Sequence, residues 1–179
     1  GEPANHEAAG EVADTLRRIE TISEAVRDGT WKGATGQPIR HVVHIGVGGS
    51  YLGPRMASEA LAYFRADAAH GPIADHYIAN IDGHHIDRVL DGLPPEQTLI
   101  VIVSKTFTTL ETRTNAETAR AWLAAEMPGA NLAQHFVAVS TNLEAAGDFG
   151  VSPEHTLPLW DFVGGRYSMW SAVGLPLAI

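Results

Sequence analysis

Two apolar, β-branched runs, His41–Ile45 and Thr98–Val103, each stop at a cluster of small, hydroxylic or basic residues, and an amphipathic helical pattern follows each. The first leaves through Gly46-Val47-Gly48-Gly49-Ser50, the second through Ser104-Lys105-Thr106-Phe107-Thr108-Thr109. A strand, a turn and a helix start, used twice, predict an α/β fold. Their nearly continuous apolar character predicts parallel strands, which are covered on both faces. In such turns several backbone N–H groups converge and the helix dipole adds partial positive charge, so an anion is stabilised without a metal. Lys105 adds an ammonium group, and the neighbouring serines and threonines add hydroxyls. Together the two turns read as a socket for a phosphomonoester.

Bulk composition narrows the function classes. The 179 residues suffice for one α/β domain with a sizeable core, and 45% hydrophobic with 18% charged residues describes an ordinary globular chain. A formal net charge of -9 argues against a general nucleic-acid surface, which needs clustered basic residues. Only two lysines occur, Lys32 and Lys105, so one of them stands in the second turn. The absence of cysteine excludes disulfides, thiolate nucleophiles and cysteine-ligated zinc. No apolar run approaches the ~20 residues of a membrane span and no signal pattern opens the chain, so the cytoplasm is the expected compartment.

Val12, Leu16, Ile19, Ile22 and Val26 recur every three or four positions and predict a helix over 7–28, stopped by Gly29. His44, inside the first strand, reads as a hydrogen-bonded core histidine. A dinucleotide fingerprint would need a third glycine at position 51, where Tyr51 stands. Gly46, Gly48 and Gly49 are therefore expected to let a ligand approach the backbone, with Ser50 offering a hydroxyl at the helix start; a tight turn without ligand is the alternative. Further strands are expected at 76–79, 135–139 and 156–159. Helices are expected at 85–90, from Leu110 to Ala125, at 143–149 and, apolar and capped by Ser168, at 169–179. His84 and His85 do not make a metal pair, since adjacent side chains diverge and no carboxylate completes a set. Glu111 opens the helix after the second turn, either complementing its dipole or serving a site. Arg166, behind Gly164-Gly165, either steadies an oxyanion or packs its stem against Trp160 or Trp170.

The ordered set Ile45-Gly46-Val47-Gly48-Gly49-Ser50-Tyr51-Leu52-Gly53-Pro54, then Ser104 to Thr112 with Asn115-Ala116-Glu117, then Phe162-Val163-Gly164-Gly165-Arg166-Tyr167-Ser168, resembles the glucose-6-phosphate isomerases from about Trp31 onward. Leu110 departs from the pattern, in which many members carry Gln. The resemblance implies a doubly wound αβα sandwich of about five parallel strands, the first of two sugar isomerase (SIS) domains, over residues 31–179, with 1–30 as an N-terminal helical segment. It implies a homodimer in the full-length protein, no cofactor and no metal, and interconversion of glucose 6-phosphate and fructose 6-phosphate through a cis-enediol. By matched position Gly49, Ser50, Ser104, Lys105, Thr106 and Thr109 would hold the phosphate, Arg166 would steady the enediolate, and Glu111 would support a ring-opening histidine. The family's glutamate base, that histidine and a further lysine have no counterpart in this sequence. The expectation is a fragment that carries the sugar-phosphate site without the base. Two other readings stay open: a regulatory SIS module that binds a sugar phosphate without chemistry, and a nucleotide-binding domain, disfavoured by Tyr51.

Overall fold

The computed structural model describes residues 2–64 and 72–179. Five strands form one parallel sheet: β1 (His41–Ile45), β2 (Ala74–Ile78), β3 (Thr98–Val103), β4 (Phe136–Ser140) and β5 (Thr156–Pro158). Their order is β2-β1-β3-β4-β5, so the chain winds one way from β1 to β2 and the other way from β3 to β5. That is the doubly wound arrangement expected from the sequence, and its switch point lies between β1 and β3.

Every residue of β3 is buried, as a central strand with both faces covered requires. Its side chains alternate between two cores. Leu99, Val101 and Val103 join Val42, Val139 and Leu157 on one face, under Ile22 and Val26 of α1 (Glu2–Arg27) and the closing segment around Val173 and Leu175. Ile100 and Ile102 join Val43, Ile45 and Ile78 on the other, under α3 (Gly83–Leu90), α4 (Leu110–Glu126) and α5 (Leu143–Asp148). α2 (Gly49–Leu61) lies with α1 on the first face, where Ser58 bonds Asp75 of β2. Among the described residues, no helix is long and apolar enough to cross a membrane.

Local chemistry places the boundaries. Gly29, at φ 74°, terminates α1 by donating its N–H to Val26 O, the stop that the sequence predicts. Asn142 accepts from Ala145 N and caps α5, and Asp82 accepts from His84 N and caps α3. β2 begins two residues earlier than expected, and β4 one residue later. Larger is the difference at the chain's end, where the expected helix over 169–179 does not form. Two tight helical turns, Arg166–Trp170 and Ala172–Gly174, are followed by the four-residue α6 (Leu175–Ala178). Ser171 is extended, breaks the run, and caps the next turn through Val173 N, a role the sequence reading had given to Ser168. Ser168 lies within the first turn, its side chain turned to Gly49 O at 3.3 Å.

Two buried histidines tie loops to this sheet. His135 donates from Nδ1 to Thr98 O at 2.7 Å and accepts from Ala34 N–H at 2.8 Å through Nε2. His44 donates from Nε2 to Ser50 O at 2.5 Å, the bonded core histidine that was expected. Burial lowers the pKa of both, and that of His44 to about 4. The unfolded chain takes up a proton near the ordinary imidazole value, whereas the folded chain does so only lower. Stability from His44 is therefore complete above about pH 6.5 and falls as pH drops toward about 4, by on the order of 3 kcal/mol. Urea unfolding at pH 7.5, 6 and 5 checks this: the midpoint is expected to fall with pH, and His44→Gln, which can still donate to Ser50 O, is expected to flatten the slope.

Candidate functional site

The register sets Ile45 beside Ile102, so β1 and β3 end within one residue of each other on neighbouring strands. Adjacent strands lie about 4.8 Å apart, and the turns that leave them begin side by side at the switch point where open α/β sheets bind ligands. The two motifs that the sequence singles out thus share one edge of the sheet.

In the first turn Gly48 adopts φ 57°, ψ -124°, and α2 starts at Gly49. Ser50 N–H bonds Val47 O and Tyr51 N–H bonds Gly48 O, so these amides are engaged within the turn. The neutral His44 holds the Ser50 carbonyl from below, and its Nδ1 is buried without a partner. Gly46 and Gly49 are also required by packing within the protein. A Cβ on Gly49 would lie 2.5 Å from the carbonyl C and O of Gly165, and one on Gly46 would lie 2.8 Å from Ser50 O. A neighbouring backbone fills those spaces, and only Gly48 faces open space. One turn along the same helix, a Cβ on Gly53 would overlap Arg166 O. Gly49 and Gly53, four residues apart, therefore form a notch on one face of α2 that seats the Gly165-Arg166 backbone.

The second turn is braced from β4. Lys105 O accepts from Thr141 N, Thr141 Oγ1 and Ser140 Oγ, and Asn142 Nδ2 donates to Thr106 O. Ser104 is buried; its N–H bonds Val139 O, which takes one expected donor out of the socket, and its Oγ lies 3.4 Å from Thr109 Oγ1. Thr109 occupies the cap position of α4 without spending its hydroxyl on a cap bond. Thr106 Oγ1 and Thr108 Oγ1 are 2.7 Å apart, at the exposed tip. Phe107, buried at 7% exposure, sits at φ 59°, an uncommon conformation for a large side chain, with its ring edge-on to Phe149.

Lys105 connects this turn to the third motif. Its Nζ donates to Asp161 O at 2.8 Å and to Val163 O at 3.4 Å, with Asp161 Oδ1 at 3.8 Å. The segment carrying Arg166 is thus held on one side by the notch in α2 and on the other by Lys105. Arg166 itself is exposed, its guanidinium 5.7 Å from the Tyr167 ring centre. Glu111 is half-buried in the first turn of α4. The sequence reading missed the notch and the Lys105 bridge; the four-residue spacing of Gly49 and Gly53 on a helix was the available signal for the first.

A family model described as phosphoglucose isomerase matches residues 4–179. The chain belongs to the phosphoglucose isomerase family. Relatives within it include glucose-6-phosphate isomerase 2 of Chromobacterium violaceum, 49% identical over 97% of this chain and 31% of its own length. Another is glucose-6-phosphate isomerase of Chlorobium luteolum, 51% identical over 94% of this chain and 30% of its length. The crystal structure of a glucose-6-phosphate isomerase from Chlamydia trachomatis superposes with a TM-score of 0.75 at 30% identity, covering 97% of this chain and 30% of that one. The chain thus spans just under a third of the length of the relatives it matches.

Among the described residues, no group of three or more histidine or acidic side chains could hold a metal ion. The notch makes a sharp prediction about stability within this family member. Gly53→Ala is expected to cost roughly 1–3 kcal/mol, because Arg166 O cannot yield without unseating the turn. Gly10→Ala, in α1 with nothing within 4 Å of its new methyl, is expected to gain about 0.5–1 kcal/mol. Thermal unfolding of the two variants reads both; equal melting temperatures would remove the notch from the account.

Proposed function

We propose that this chain is the sugar-phosphate-binding part of a glucose-6-phosphate isomerase, a cytoplasmic enzyme of glycolysis and gluconeogenesis that interconverts glucose 6-phosphate and fructose 6-phosphate through a cis-enediol. In this reading residues 31–179 are the first SIS domain and the helix within 1–30 is laid on it. The observation that carries it is the meeting of three motifs: the exits of β1 and β3 adjoin, and Lys105 and the notch of α2 hold the same Arg166-bearing segment.

Ser50, Ser104, Lys105, Thr106 and Thr109 clamp the phosphate, with the backbone at Gly49. Remote binding of this kind orients the sugar, and the energy gained there is available at the reacting carbons. Proton transfer between adjacent carbons leaves negative charge on an enediolate oxygen, which the Arg166 guanidinium stabilises. Glu111 supports the histidine that opens the ring. That histidine and the glutamate base come from the part of the family's length that this chain does not span, and the enzyme works as a homodimer without cofactor. Exposed Phe162, Tyr167 and Trp170, at 70–78% exposure beside the site, suit burial against further protein surface.

Titration of the chain with fructose 6-phosphate tests this reading. Binding is expected to be weak, without turnover, and to fall by roughly tenfold or more in Lys105→Ala, the effect of removing one charge-assisted bond. Equal binding by parent and variant would remove the clamp, and isomerisation by this chain alone would refute its division of labour.

A further inference from the structure

The ammonium group assigned to the phosphate is already in company. Lys105 Nζ has three N–H bonds to give, and two are directed at the carbonyls of Asp161 and Val163. Those carbonyls belong to a turn closed by Val163 N–H on Trp160 O at 2.9 Å, so they are fixed parts of the segment leading to Arg166. The Asp161 carboxylate is different. It stands 3.8 Å from Nζ, beyond hydrogen-bonding distance, and its side chain is fully exposed with no packing to hold it. An exposed pair of this kind contributes little to stability. It nevertheless places a negative charge at the cation that a dianionic ligand must use.

We infer that Asp161 sets the affinity of the phosphate socket: its carboxylate competes with the ligand for Lys105 and lies close enough to the bound dianion to repel it. The carbonyls of Asp161 and Val163 keep Lys105 aimed while its third N–H is given to the ligand, and the unpacked carboxylate swings outward when the ligand arrives. Asp161 thereby weakens retention of any phosphomonoester, substrate and product alike, and favours release. This inference rests on the reading of Lys105 as a phosphate ligand given above.

The test is a titration of this chain with inorganic phosphate and with fructose 6-phosphate, in the parent and in Asp161→Asn, Glu126→Gln and Lys105→Met. Glu126 ends α4, about 24 Å along the helix from the second turn, so Glu126→Gln makes the same change of net charge away from the socket. Asp161→Asn is expected to tighten both ligands about three- to tenfold at about 0.01 M ionic strength and by less at about 0.15 M, where the screening length falls from roughly 30 Å to roughly 8 Å. Glu126→Gln is expected to leave both affinities within about twofold, since its charge lies near the limit of that screening length. If Asp161→Asn behaves like Glu126→Gln or binds more weakly, while Lys105→Met loses affinity, the competition is refuted and the clamp stands. If Lys105→Met binds as the parent does with its melting temperature unchanged, the clamp itself is wrong and the inference falls with it.

Discussion

The parallel pairing of β1 with β3 is the constraint on which the rest of the molecule depends. Ile45 opposite Ile102 puts the two strand ends within one residue of each other, while α2 departs to one face of the sheet and α4 to the other. A crevice opens wherever neighbouring strands send their helices to opposite sides, and here it opens between the two strands that leave through the glycine-rich and the lysine- and threonine-rich turns. A slip of one residue in β1 would turn Val43 and Ile45 out of their core and bring His44 into it, so the apolar alternation protects the alignment of the turns.

Around that crevice the three sequence motifs interlock. Gly49 and Gly53 leave room for Gly165 and Arg166, Ser168 bonds back to Gly49 O, and Lys105 holds the same segment from the far side. The Arg166 segment is therefore positioned by residues from both turns, and a change in either is felt at the arginine. This explains why a glycine turn that looks like a ligand cradle is filled by protein. The same glycines that shape the turn hold the Gly165-Arg166 backbone in place.

Periodicity made the strands, the order of elements and the buried status of His44 legible, because those follow from local alternation and from the rule that apolar strands are covered on both faces. The Gly29 stop was legible for the same local reason. The glycine notch was not, since a sequence records that a Cβ is missing and does not record which neighbour takes its place. The closing segment was misread because apolar residues at helical spacing outweighed Ser171, whose side chain bonds Val173 N and whose extended backbone ends one turn before the next begins. Lys105 was legible as a cation in the second turn; its carbonyl partners lie 56 and 58 residues away and leave no local signature.

The second turn is locked before any ligand reaches it. Three hydrogen bonds converge on Lys105 O from the exit of β4, and Phe107, driven into the core, imposes a left-handed kink that a flexible loop would visit only in passing. The entropy of ordering those backbone groups is lost when the chain folds, so capture of an anion has little of it left to lose. On the proposed function, affinity for a phosphate at this edge of the sheet is governed by charge and donor geometry, because the cost of immobilising the loop has been transferred to folding.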